Sequence, residues 1–120
     1  MAPVFSIDPN IALAVAKVES NLDPKAIGSR GEVGLFQLMP QVIKQHGFTK
    51  KQAADPLNNI YLGLKMLKYA KDQCPHKGGL NSLVCYNVGL GKAKNIKNPS
   101  KFIYVKKVTK KLLTILSSSR

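Results

Sequence analysis

Apolar positions in this chain recur every three or four residues, and no stretch alternates apolar with polar residues as a half-buried strand would. The pattern predicts an all-α fold. Asp8-Pro9 has the form of a helix start, with Asp8 as N-cap and Pro9 in the first turn. Ile11, Ala14, Val15 and Val18 then share one face, and Asn21, Asp23 and Pro24 stop the helix near Ser20. Asn21 to Val33 reads as loop. A second helix is expected from about Leu35 to His46, burying Leu35, Leu38, Val42 and Ile43 and ending at Gly47. Thr49 caps a short turn through Ala53. Asp55-Pro56 then opens the expected central buried helix, with Leu57, Ile60, Tyr61, Leu64 and Leu67 running to about Tyr69. Leu80 to Asn87 reads as a short apolar helix closed by Gly89 and Gly91. Pro99-Ser100 starts a last one, with Val105, Val108, Leu112 and Ile115 inward and Ser117 to Arg120 fraying. No internal repeat or linker interrupts this, so residues 1–120 read as a single domain.

Charge changes the picture more than composition does. The 120 residues are 44% hydrophobic, ordinary for a globular protein, and no apolar run reaches the length of a membrane span. Met1 to Ser6 is too short for a secretory signal, so export either uses none or followed removal of a leader or larger parent. The net charge is +13 and lopsided. Residues 1–72 hold nine basic and all six acidic residues, whereas residues 73–120 hold ten basic residues and no acid. Such a half attracts polyanions, although a solvated lysine face explains it equally well. Two cysteines, Cys74 and Cys85, are too few for a disulfide scaffold; unpaired thiols are favoured over one bridge. Neither has His or Cys at zinc-ligand spacing, so no metal site is expected. His46 and His76 read as exposed loop residues and Asp55 as a cap.

The candidate chemistry gathers at Glu19. It falls in the last turn of the first helix, where the helix dipole is unfavourable to a carboxylate. Dipole and apolar neighbours both favour the protonated form, which suits a proton donor. Taken alone, the helix favours a plain surface glutamate that merely tolerates its position. Tyr86-Asn87, followed by glycine, puts two hydrogen-bonding side chains beside open backbone. Phe36 and Met39 read more readily as core than as a ligand platform.

Several motifs then occur in order: Glu19-Ser20, Gly34-Leu35-Phe36-Gln37-Leu38-Met39-Pro40, Asn59-Ile60 with Gly63, Tyr86-Asn87-x-Gly89, and Tyr104-Val105. Together, from about Pro9 to Leu112, they resemble the catalytic domain of soluble lytic transglycosylases, glycoside hydrolase family twenty-three, with a goose-type lysozyme-like fold. The resemblance implies a two-lobed helical domain with a groove for peptidoglycan glycan strands. It implies non-hydrolytic cleavage between N-acetylmuramic acid and N-acetylglucosamine, giving 1,6-anhydro ends, without cofactor or metal. Glu19 would be the acid and then the base. Tyr86 would hydrogen-bond its carboxyl, Gln37, Asn87 and Met39 would line the groove, Tyr104 would close the site, and Ser20 would cap local backbone or touch substrate.

The same resemblance implies a monomer acting in the periplasm or cell wall, with phage lysis or entry, or wall opening by a secretion apparatus, as settings. The basic half would hold it on anionic wall polymers. Three positions depart from the family pattern: Cys85 stands for a common alanine, Gly28 for a common serine, and Met66 for an aromatic found in some members. Two alternatives stay open. One is a hydrolytic goose-type lysozyme using Glu32 to activate water. The other is a non-catalytic cationic module binding wall or nucleic acid, against which stands the lack of a nucleic-acid motif.

Overall fold

A computed structural model describes residues 5–118. The expectations for Met1 to Val4 and for Ser119 and Arg120 lie outside the described residues. The chain is helical, with α1 Pro9–Ser20, α2 Pro40–Gln45, α3 Lys50–Ala54, α4 Pro56–Gln73, α5 Leu83–Val88, α6 Leu90–Ala93, a 3-10 turn Pro99–Lys101, and α7 Ile103–Ser118. Among the described residues the only β pairings are two isolated bridges, Ile27 with Val33 and Val33 with Leu38.

The helix starts follow the local chemistry. Asp8 accepts from the Asn10 N–H at 2.8 Å ahead of Pro9. Thr49 and Gln52 form a reciprocal capping box on α3, and the Asp55 carboxylate accepts from Leu57 and Asn58 N–H at the start of α4. α1 ends where Asn21 enters the left-handed region at φ 54° and returns its N–H to the Lys17 carbonyl. α1, with Ala12, Ala14, Val15 and Ala16 buried, packs against α7, whose Tyr104, Val105, Val108 and Ile115 are buried, with Leu112 half-buried. α4 contributes Asn59, Leu62, Gly63, Leu64, Leu67 and Ala70 to the same core.

Four expectations need correction. Leu35 to His46 is not one helix. Pro40 lacks a donor and holds Met39 extended (φ −69°, ψ 144°), so the helix begins only at Pro40. Ahead of it, Val33 and Leu38 exchange both backbone hydrogen bonds at 3.0 Å around a tight turn. Leu57 and Tyr61 lie on the outside of α4, not in the core, and α4 runs one turn past Tyr69 to Gln73. The Leu80–Asn87 stretch becomes α5 from Leu83; Gly89 is its stop at φ 87°, and Gly91 lies inside α6. Cys74 and Cys85 are not free thiols. They form a disulfide with Cα atoms 5.8 Å apart, because the C-cap of α4 lies directly beneath α5.

Asn59 organises the turn before α2. It is fully buried. Its Oδ1 accepts from Phe36 N–H at 2.9 Å, and its Nδ2 donates to the Val33 and Ala53 carbonyls, each at 2.9 Å. The chain must pass close here. A Cβ on Gly34, which sits at φ 78°, would come 2.4 Å from the Asn59 amide nitrogen, and one on Gly63 would come 2.4 Å from the Phe36 ring. Asn59→Ala would therefore leave the Phe36 N–H and the Ala53 carbonyl unpaired in the core and take from the Val33 carbonyl one of its two donors, the Leu38 N–H remaining. We expect a loss of about 2–4 kcal/mol in urea unfolding. For the disulfide, Cys74→Ser with Cys85→Ser should cost about 2–3 kcal/mol, the closure entropy of so short a loop. The intact protein should show the matching fall in Tm on reduction.

Candidate active site

Glu19 is carried by the last turn of α1, with Asn21 breaking the helix just beyond it. The side chain does not point into open solvent. Its Oε2 accepts a 2.6 Å hydrogen bond from the Tyr104 hydroxyl of α7. The α1–α7 packing makes this bond between residues 85 apart in sequence. Burial raises the Glu19 carboxyl above its ordinary pKa of 4.5; the Tyr104 bond pulls the other way, and the negative charge of Glu32 raises it further. The tyrosines respond in kind. Burial, and then the nearby Glu19 charge, push the Tyr86 hydroxyl up, and burial does the same for Tyr104, so both remain protonated donors.

Two clefts meet at Glu19. One, of about 510 Å³, is lined by Glu19, Glu32, Gln37, Met39, Tyr86 and Asn87 together with Arg30, Met66 and Tyr69. The other, of about 560 Å³, is lined by Val18, Glu19, Asn87, Tyr104 and the stretch from Lys101 to Ile103, with Lys107. Glu19 and Asn87 border both, so the two clefts adjoin at the end of α1 and together form the candidate groove.

The structure brings Glu19, Gln37, Met39, Tyr86, Asn87 and Tyr104 to this groove and redistributes their roles. Tyr104, not Tyr86, hydrogen-bonds the Glu19 carboxyl. The Tyr86 hydroxyl instead makes a long 3.4 Å bond to the Phe36 carbonyl. The reason is placement: α7 lies against α1, whereas α5 faces the turn before α2. Gln37 sits in the left-handed region at φ 49°, and its Nε2 donates to the Gly34 and Ala26 carbonyls at 2.9 and 3.1 Å. Its amide hydrogens are thus committed to the loop, and only the carbonyl oxygen is left to accept from a ligand. Ser20 lines neither cleft. Its hydroxyl is shared between the Leu35 and Ala16 carbonyls at 2.8 and 3.1 Å, which ties the turn to α1. Met39 is half-buried in the cleft wall, while Phe36 is core.

Sequence reasoning missed Tyr69. It stands one turn beyond Met66 on α4, is 53% exposed, and faces the groove. An aromatic at i+3 from a groove-lining position was the available signal. The glycine at 28 also has a structural reason. A Cβ there would come 2.7 Å from both the Gln37 side-chain amide oxygen and the Glu32 carboxylate Oε1. Glu32 itself is held by the loop, its Oε1 accepting from Arg30 N–H at 2.7 Å. His76, expected in solvent, is half-buried with its Nε2 2.9 Å from the Ala93 carbonyl. Among the described residues no three His, Cys, Asp or Glu side chains gather as a metal set, and no helix is long and apolar enough to cross a membrane.

Comparison with known proteins bears on this groove. The family model described as "Transglycosylase SLT domain" matches residues 2–107. The chain is 34% identical over 90 residues to a protein named "Transglycosylase" from Enterobacteria phage PRD1, covering 74% of this chain and 32% of the relative. It is 28% identical over 102 residues to "Membrane-bound lytic murein transglycosylase C" of Haemophilus influenzae, covering 72% of this chain and 29% of that protein. The chain thus spans about a third of the length of these relatives. Among solved structures, an inactive mutant of the lytic transglycosylase Slt of Pseudomonas aeruginosa superposes with a TM-score of 0.75 at 21% identity, over 92% of this chain and 22% of that one. The 70 kDa soluble lytic transglycosylase of Escherichia coli gives 0.71 at 26% identity, over 89% and 21%. The all-α fold is thus the lysozyme-like one of these enzymes.

The electrostatics of Glu19 can be tested without any ligand. Tyr104→Phe removes the one contact that lowers the Glu19 pKa and should move it further up. Glu32→Gln removes a repelling charge and should move it down. Carbon-13 NMR titration of the Glu19 carboxyl reads both directions.

Proposed function

This chain belongs to the transglycosylase SLT domain family, and from that premise we propose that it is a peptidoglycan lytic transglycosylase whose proton donor is Glu19. In this reading residues 1–120 form one catalytic domain that works as a monomer on glycan strands of the bacterial wall. Its setting is the periplasm or cell wall, as part of phage lysis or entry or of wall opening by a secretion apparatus. The PRD1 and Haemophilus relatives, by name a transglycosylase and a murein transglycosylase, support the wall as substrate.

One observation carries the proposal: a carboxyl whose pKa is raised by burial, at the point where two clefts meet, with one oxygen fixed by Tyr104. The fixed Oε2 leaves Oε1 to bear the proton toward the groove. A glycan lying across α1 would bring its linking oxygen to that proton. As the bond from C1 to that oxygen breaks, the proton moves to the departing N-acetylglucosamine hydroxyl. The muramic acid's own N-acetyl carbonyl stabilises the cation forming at C1. Glu19, now a carboxylate, then takes the proton of the sugar's 6-hydroxyl as that oxygen bonds to C1. The 1,6-anhydro ring closes and Glu19 is protonated again. Positioning of a proton donor within reach is worth about 10²–10⁴-fold, and a pKa raised toward the working pH keeps the donor loaded.

The groove lining fits a sugar chain. Tyr69 and Met39 offer apolar faces, and Asn87 and the Gln37 carbonyl offer hydrogen bonds to hydroxyl and N-acetyl groups. A specific observation also favours hydrolysis as the second reading. Glu32 lines the same cleft and is near enough to raise the Glu19 pKa. Its Oε1 is occupied by the Arg30 N–H, however, and substrate-assisted cleavage needs no second carboxylate.

Mass spectrometry of digested peptidoglycan separates the two. Anhydro ends are expected, and reducing muramic acid ends would mean lysozyme action. Glu19→Gln should lower the rate at least about 100-fold with the fold unchanged by circular dichroism, whereas Glu32→Gln should keep most of it. Wild-type rates in Glu19→Gln would reject the assignment.

A further inference from the structure

The two arms of the groove differ in charge. On the α4 side, Arg30 and Glu32 are near neighbours among amides, methionines and tyrosines. The α7 side is lined by Lys101 and Lys107, and its only acid is Glu19. No residue from 73 to 120 is acidic, so α5, α6 and α7 bring no carboxylate to face these ammonium groups. The one side-chain ion pair among the described residues, Lys68 with Asp72, lies on α4. Between the two lysines stands Ile103, 71% exposed at the groove edge. Lys110, three residues past Lys107, extends the same exposed strip of α7.

Two cations lining a cleft whose single acid, Glu19, is bonded to Tyr104 favour an anionic ligand. In a peptidoglycan strand the hexosamine rings are neutral. The acidic groups sit on the 3-O-lactyl arm of the muramyl unit: the lactyl carboxylate itself where the peptide is absent, or the carboxylates of the stem peptide where it is present. We propose that Lys101 and Lys107 form a carboxylate subsite for that acidic arm, with Ile103 receiving its lactyl or alanyl methyl groups. Lysine suits the task, since its charge rides on a flexible stem that can follow arms of different length. The inference deepens the glycan-cleaving reading and rests on it. It adds a direction: sugar faces against Tyr69 and Met39, acidic arm toward α7.

The test uses the full chain carrying Glu19→Gln, titrated by calorimetry with three saccharides of equal length. These are an N-acetylglucosamine oligomer, peptidoglycan glycan stripped of its stems by an amidase, and the stem-bearing strand. At low salt the acidic ligands should bind about tenfold tighter than the neutral one, the expected scale for two solvent-edge ion pairs. The gap should close at about 1 M salt, where the screening length falls to roughly 3 Å. Adding Lys101→Gln and Lys107→Gln should erase the gap and leave affinity for the neutral oligomer unchanged. Preference already present with the stripped glycan assigns the lactyl carboxylate; preference seen only with stems assigns the peptide. Equal affinity for all three ligands, or binding of none, overturns the subsite. So does an equal loss for neutral and acidic ligands on lysine substitution. Cleavage of both strands by the wild-type protein, read separately, tells failure of the subsite from failure of the functional reading.

Discussion

The hydrogen bond from Tyr104 to Glu19 is the constraint around which this structure is arranged. It joins the C-terminal turn of α1 to the first turn of α7, linking residues 85 apart in sequence on two helices that pack together. Ala14, Val15 and Ala16 of α1 and Val105 and Val108 of α7 are all buried, and the two helices pack against each other. The result at their upper edge is a carboxyl with little water, one oxygen anchored, and a groove in front. Burial alone would raise its pKa; the tyrosine tempers that rise while fixing direction. Orientation and acidity are therefore set by one contact, and both depend on helix packing far from any ligand.

The opposite wall is built by different means. The turn from Val33 to Leu38 has little regular structure and relies on side chains to satisfy its backbone. Asn59 takes the Phe36 N–H and the Val33 carbonyl, Ser20 the Leu35 carbonyl, and Gln37 the Gly34 and Ala26 carbonyls. Each bond ties the loop to a rigid helix or to itself, which is how an irregular segment can present Gln37 and Met39 at fixed positions. The disulfide serves the third wall. It fixes α5, which carries Tyr86 and Asn87, to the end of α4, which carries Tyr69.

Much of this was legible in the sequence because it is local. Asp8, Thr49 and Asp55 announced their helices through capping chemistry that acts over two or three residues. Glu19 could be placed in the last turn of α1 because Asn21, Asp23 and Pro24 end it. What could not be read depends on contacts between distant segments. Tyr86 and Tyr104 both stood near the site on paper, and only the α1–α7 packing decides which hydroxyl reaches the carboxyl. The pairing of Cys74 with Cys85 needed the crossing of α4 and α5. Gln37 looked free to meet a ligand, and Ser20 could equally cap backbone or touch substrate, because their partners Gly34, Ala26 and Leu35 act through backbone carbonyls with no mark in the sequence. The helix placed over Leu35 to His46 failed for a local reason that was visible, Pro40 at its centre.

The central claim is that Glu19, kept protonated by its surroundings, delivers the proton that breaks the glycan. The most direct measurement is the pH dependence of cleavage by the wild-type protein set beside the titration of the Glu19 carboxyl in the same buffer. The rate should fall on the alkaline side with a midpoint matching that titration, and this midpoint should lie above 4.5. A Glu19 that titrates below 4.5, or a rate that stays flat through its titration, would contradict it.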